Sequence, residues 1–160
     1  LLSFRVPSLR QLCIVKTKQM KRFILLLARL WMGLAGYGQT GTVVINVQQI
    51  QSDKGGEISA GIFKKENFPK VGKQMIGTER PVTGSSMQIV FEKVLAGEYG
   101  LVAFQDIDKN KDLKTNFVGF PKEPIGFSND AKIKLGPPDF DDAKVKVEAG
   151  KTLTLTITLK

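Results

Sequence analysis

From Gly41 onward the apolar side chains recur at every second position. No window of a dozen residues there carries the 3.6-residue period of an amphipathic helix. Period two places one face in a core and the other in water, so the chain reads as half-buried strands. "TVVINVQQI" (42–50) is the first. "GEISAGIF" (56–63) follows after the turn "SDKGG", then "SSMQIVFEKV" (85–94) and "EYGLVAFQD" (98–106). "AKIKLG" is short and alternating, and "DAKVKVEAG" sets Lys144 and Lys146 outward with Val145 and Val147 inward. The last, "KTLTLTITLK", has Leu153, Leu155, Ile157 and Leu159 on one face and threonines on the other. One helical turn is expected near "KENFPKVG" (65–72), with Phe68 tucked inward. About seven short strands separated by Gly, Pro, Asn and Asp predict an all-β chain: an antiparallel β-sandwich, Ig-like or prealbumin-like. The exception is residues 106–138. A loop longer than about 15 residues in a compact domain is functional or disordered as a rule. This one carries Phe117, Phe120, Ile125 and Phe127, so it is expected to be packed.

The formal net charge of +9 would suit a nucleic-acid binder if it lay on the fold. It does not. Arg5, Arg10, Lys16, Lys18, Lys21, Arg22 and Arg29 all precede residue 39, and no acid does. Removing those seven from 24 Lys+Arg leaves 17 basic residues against 15 acidic ones. A basic stripe on the folded part is what nucleic-acid binding needs, and none is evident. "MKRFILLLARLWMGLAGYGQT" begins at Met20 with two positive charges, an apolar run and then small residues. That is the order of a secretory signal peptide over 20–38, with Arg29 as a blemish. The competing reading is an amphipathic anchor that stays attached. The run is too short to span a bilayer of roughly 30 Å as a helix. Residues 1–19 hold no Met and are expected to be upstream translation, leaving 39–160 as a single exported domain, periplasmic or extracellular. Cys13, the one cysteine, lies outside that domain and is not placed as a lipid-attachment residue.

"DIDKNKDLKTN" (106–116) is the densest run of metal-type ligands. Calcium takes about six to eight oxygens, and a short loop supplies them from positions 1, 3, 5 and 7. Here those are Asp106, Asp108, Asn110 and Asp112. The order matches the opening of an EF-hand loop, with two departures. Lys111 stands at the glycine position, and Phe117 stands where the bidentate Glu belongs. An EF-hand is therefore excluded. A helix-free calcium loop remains, with Asn116 as an added amide and Glu123 folding back as a late carboxylate. The other reading is a solvated turn whose aspartates pair with Lys109, Lys111 and Lys114, pairs that contribute about 0–1 kcal/mol. Spacing leaves both open.

Within "VLAGEYGLVAFQD", a glycine turn enters a strand at Tyr99, whose hydroxyl could reach back across the turn as in a tyrosine corner. The hairpin resembles those of prealbumin-like and carboxypeptidase-regulatory-like domains. Further on, "FQDIDKNKDLKTNFVGFPKEPIGFSND" followed by "LGPPDFDDAKVKV" resembles the signature of a family of secreted bacterial proteins, domain-of-unknown-function family 2141. The matching positions run from Asp106, Asp108 and Asn110 through Gly119, Pro121, Glu123, Gly126, Phe127, Ser128 and Asn129 to Gly136, Pro137, Pro138, Phe140, Asp142 and Ala143. The family commonly has His where this chain has Gln105, Gly at Lys111 and an Asp near Lys114. The resemblance implies export and a β-sandwich; it implies no activity. In these segments the glycines are expected to supply positive-φ turns, the prolines to stiffen the loop, and Phe127 and Phe140 to plug the end of the sandwich. A sharper reading brings Glu123, Asn129 and Asp142 together with the Asp106 loop around one cation.

The chain has no histidine, which excludes Ser-His-Asp catalysis and His-based zinc sites. No phosphate-binding glycine motif is present. Trp31 falls in the signal, so the domain has no tryptophan platform for sugars. The expectation is a secreted or periplasmic β-sandwich binding or structural module, with a loop organised by calcium and a partner that is an envelope protein or a peptide. The alternative is a small polysaccharide-directed hydrolase using paired acids.

Overall fold

A computed structural model describes residues 39–117, 121–134 and 136–160. The expected upstream and signal segments, Gly119 and Phe120 lie outside those residues. Among the described residues eight strands form: β1 (Thr40–Gln48), β2 (Glu57–Phe63), β3 (Ile76–Pro81), β4 (Ser86–Leu95), β5 (Gly97–Asp106), β6 (Ile125–Phe127), β7 (Lys144–Val147) and β8 (Thr152–Thr158). A single helical turn, α1 (Phe140–Ala143), precedes β7. No helix among the described residues is long and apolar enough to cross a membrane.

The strands form two sheets that pack as a β-sandwich. The smaller has the order β4-β1-β8, and the larger β3-β2-β5-β6 with β7 also on β5. β5 shares one edge between two partners. Gly97–Gly100 pair with β7, and Val102–Phe104 with β6. Every pairing is antiparallel except β1 with β8, which run parallel from Thr42↔Thr152 to Gln48↔Thr158. Alternation in β1 buries Val43, Ile45 and Val47. Across the interior they meet Ile58, Ile62 and Leu101 of the larger sheet, with Phe91 and Ile157 from the neighbouring strands of their own sheet in the same cluster. Each such side chain contributes about 1.5–3 kcal/mol by leaving water. Leu153 and Leu155 pack against the same cluster from β8.

β5 is buried on both faces, from Tyr99 to Asp106. Its outer residues Val102 and Phe104 join Phe63, Ile125, Phe127 and Ala143 in a second cluster on the far side of the larger sheet. Phe68, just after a 3-10 turn at Lys65–Asn67, lies edge-on to three rings there. Its centroid is 6.2 Å from Phe63, 6.0 Å from Phe127 and 5.8 Å from Phe140. Phe127 and Phe140 therefore cover the outside of a sheet; they do not plug the end of the sandwich. The long segment is packed through Ile125 and Phe127, but Phe117 is fully exposed.

The Tyr99 hydroxyl does reach back, donating to the Leu95 carbonyl at 2.9 Å. Ser128 ties three elements together. Its Oγ accepts from Leu101 N at 3.0 Å and donates to the Ala143 carbonyl. Gly126 supplies no positive-φ turn. It sits in β6, where a Cβ would stand 2.6 Å from Ile157 Cγ2 and from the Thr158 carbonyl. The left-handed residues of this region are Asn129 and Asp130. The described part of "AKIKLG" is not a strand. Ile133 packs on the second cluster while Lys132 and Lys134 face water, which satisfies the same alternation without a ladder.

Candidate metal centre

β5 ends at Asp106, which is 2 % exposed. Its carboxylate folds the following chain back on itself. Oδ1 accepts from Asn110 N at 3.2 Å and Oδ2 from Lys111 N at 2.7 Å. The bend takes Lys109 and Lys111 into the left-handed region, at φ 59 and 64. Lys111 thus holds the conformation a glycine would favour there, at a cost of about 1–2 kcal/mol for a side chain with a Cβ. Both lysines are tied to the β2–β3 hairpin. Lys111 meets Glu79 at 3.0 Å and Lys109 meets Glu57 at 3.8 Å. Hydrogen bonding and charge from Glu79 raise the Lys111 pKa. Gly56 lets the hairpin approach so closely. At φ 83, its Cβ would lie 2.3 Å from the Asp106 carbonyl.

Glu123 folds back over the loop and is 7 % exposed. Oε1 accepts from Ile107 N at 3.0 Å and Oε2 from Lys114 N at 3.4 Å. One oxygen each from Asp106, Asp108 and Glu123 lies within 4.8 Å of the others. These three carboxylates could hold a metal ion. Asp108 is the exposed member. Its carboxylate carries the Lys114 ammonium and accepts from Asn110 Nδ2 at 3.1 Å. The hydrogen bond from Lys114, ahead of every other influence, lowers the Asp108 pKa, and the same bond raises that of Lys114.

The expected ligands divide accordingly. Asp106, Asp108 and Glu123 converge. Asn110 lies beside them, its Oδ1 accepting from Asp112 N at 2.8 Å. The Asp112 carboxylate is outside the group of three. Asn129 and Asp142 do not join it either. The Asn129 amide donates to the carbonyls of Asp142 and Lys144 at 3.3 and 3.0 Å. Gln105 faces away from the loop. It is fully buried, accepting from Gln51 N at 2.9 Å and donating to the carbonyls of Gln51 and Gly55. Position 105 therefore pins the β1–β2 turn. Sequence spacing offered Lys114 as a partner for the loop aspartates but gave no sign of Glu57 and Glu79. Lys114 neutralises Asp108, while Glu57 and Glu79 anchor the loop lysines from another hairpin.

No curated protein and no solved structure matches the chain. A family model described as an uncharacterized protein conserved in bacteria, DUF2141, matches residues 45–155, from within β1 to within β8. The match takes in both sheets, the acidic loop and Glu123, and on it the chain belongs to this uncharacterised bacterial family.

Proposed function

We propose that the protein is an exported binding module, periplasmic or extracellular, whose β5–β6 loop is organised by calcium through Asp106, Asp108 and Glu123. One observation carries this reading. Two carboxylates at and just past the end of β5 and a third that returns from the far side of the loop crowd within 4.8 Å, two of the three buried. Like charges that close repel, and a cation between them removes the repulsion. Lys114 balances one of the three. The donors are all oxygens, which suits a hard cation. Each carboxylate oxygen has a second lone pair, so the backbone N–H bonds leave capacity for a metal. Calcium accepts six to eight oxygens in flexible geometry at about 2.3–2.6 Å, whereas magnesium demands a tighter octahedron.

The role is binding or structural, with an envelope protein or peptide as partner. Hydrolysis of sugars needs two acids flanking the bond, about 5–5.5 or 6.5–9.5 Å apart. Asp106 and Glu123 are instead buried and engaged by backbone amides. Nucleic acid is disfavoured because the domain has 17 basic residues against 15 acidic ones once the seven before residue 39 are removed from 24.

Calorimetric titration tests the assignment. Calcium is expected to bind at one site with a dissociation constant of about 0.1–1 mM, magnesium more weakly. Glu123→Gln should weaken calcium at least tenfold, and Asp112→Asn should leave it unchanged. Absence of calcium heat, or binding that survives Glu123→Gln, sinks the proposal. Polysaccharide cleavage that persists in chelator would favour the hydrolase instead.

A further inference from the structure

Among the described residues, β4 is the outermost strand of the smaller sheet, with no strand along its far edge. An open edge is a template for pairing unless charge, proline, a β-bulge or cover blunts it. β3, at the edge of the larger sheet, ends in Glu79, Arg80 and Pro81. The end of β8 is covered, since Thr158 N donates to Asp130 and Lys160 exchanges backbone bonds with Ile125. β4 has no proline, and its first six residues, SMQIVF, carry no charge. Val90 and Leu95 are 47 % and 55 % exposed on it.

A bulge gives β4 an unusual symmetry. Gly41 pairs with Val94 and Val43 with Phe91, so Glu92 and Lys93 together oppose Thr42. Lys93 takes φ 56. The extra residue resets the alternation. Val90 is exposed, Phe91 buried, Glu92 and Lys93 exposed, Val94 buried, Leu95 exposed. The pattern is the same read in either direction from the 92–93 bond. Neither Glu92 nor Lys93 has an ion-pair partner among the described residues.

We infer that β4 is a self-association edge, pairing antiparallel with β4 of a second copy about a two-fold axis between Glu92 and Lys93. An isologous pairing sets each residue against its counterpart on the same face. Val90 then opposes the partner's Leu95, and Phe91 opposes the partner's Val94. Glu92 opposes the partner's Lys93, and the reverse pair forms by symmetry. Moving the axis onto either charged residue would bring like charges together, which disfavours those two registers. The bulge interrupts the ladder at the axis and the shared edge is short, so the dimer is weak and concentration-dependent. The inference is independent of the metal.

Sedimentation across a concentration series, with circular dichroism to verify folding, decides it. The mass is expected to rise from one chain to two as concentration increases. Glu92→Lys or Lys93→Glu alone should hold it at one chain, and the two together should restore the dimer. A wild-type protein that stays at one chain at millimolar concentration overturns the inference. So does a dimer that either single exchange leaves intact, or folded variants in which the double exchange fails to restore association.

Discussion

Lys114 decides how strongly the acidic group can attract a free cation. Its ammonium rests on Asp108, the only exposed member of the three carboxylates. A divalent ion must displace it. Lys114→Met is therefore expected to tighten calcium binding several-fold; an unchanged or weaker affinity would mean the ammonium does not compete. The same contact has a pH signature. Asp108 is held below its ordinary 3.8 chiefly by the hydrogen bond from Lys114. A lowered carboxyl pKa contributes stability that is present at neutral pH and lost as pH falls through the depressed value. Lys114, raised above 10.5, loses its part only at the alkaline end. A carboxyl-resolved NMR titration should place the Asp108 midpoint below 3.8, and Lys114→Met should move it up. Tyr99 makes a separate residue-scale test. Its hydroxyl bonds the Leu95 carbonyl at 2.9 Å across the β4–β5 turn. Tyr99→Phe should cost about 1 kcal/mol in urea unfolding, and no loss would mean that water replaces the bond freely.

β6 is three residues long, yet it joins the two sheets. Gly126 pairs with Ala103 on β5, and the place where its Cβ would be is filled by β8. Backbone cannot yield as a side-chain tip can, so Gly126→Ala is expected to destabilise by about 1–3 kcal/mol. Chemical denaturation reads this directly, and a neutral result would mean β6 can lift from β8. β6 also marks the limit of what periodicity reveals. β1, β2, β4, β5 and β8 are legible because runs of seven to ten residues carry alternating apolar side chains or, in β5, which is dry on both faces, a nearly continuous apolar run. β6 is too short to show a period, and β3 hides behind Thr78, Glu79, Arg80 and Pro81, the residues that guard an edge. In the site, residue type and spacing single out Asp106 and Asp108 as candidate ligands and offer Glu123 only as a carboxylate that could fold back. Asp112 has equally good spacing, but the left-handed bend at Lys111 leaves its carboxylate outside the group. Spacing offers Lys109, Lys111 and Lys114 alike as partners for the aspartates; Lys114 reaches Asp108, whereas Lys109 and Lys111 turn to Glu57 and Glu79, which no spacing encodes.

The unit Gln39–Lys160 is a sandwich with a second apolar layer on its larger sheet, and the long loop is the join between them. The loop leaves β5 at Asp106 and returns through Glu123 to Ile125 and Phe127, which belong to that layer. A cation bound by Asp106, Asp108 and Glu123 would clamp the exit and the return of the loop together, so the fold as a whole should register it. Binding to the native state alone stabilises by mass action. With a dissociation constant of about 0.1 mM, 1 mM calcium adds about 1.4 kcal/mol. For a domain of this size that is a rise in Tm of roughly 4–6 °C. The most direct test is to melt the protein in calcium and in chelator, beside Asp108→Ala. The account predicts a calcium-dependent rise of that size which the variant loses. Superimposable curves for the wild-type protein, or a rise that Asp108→Ala retains, would contradict it.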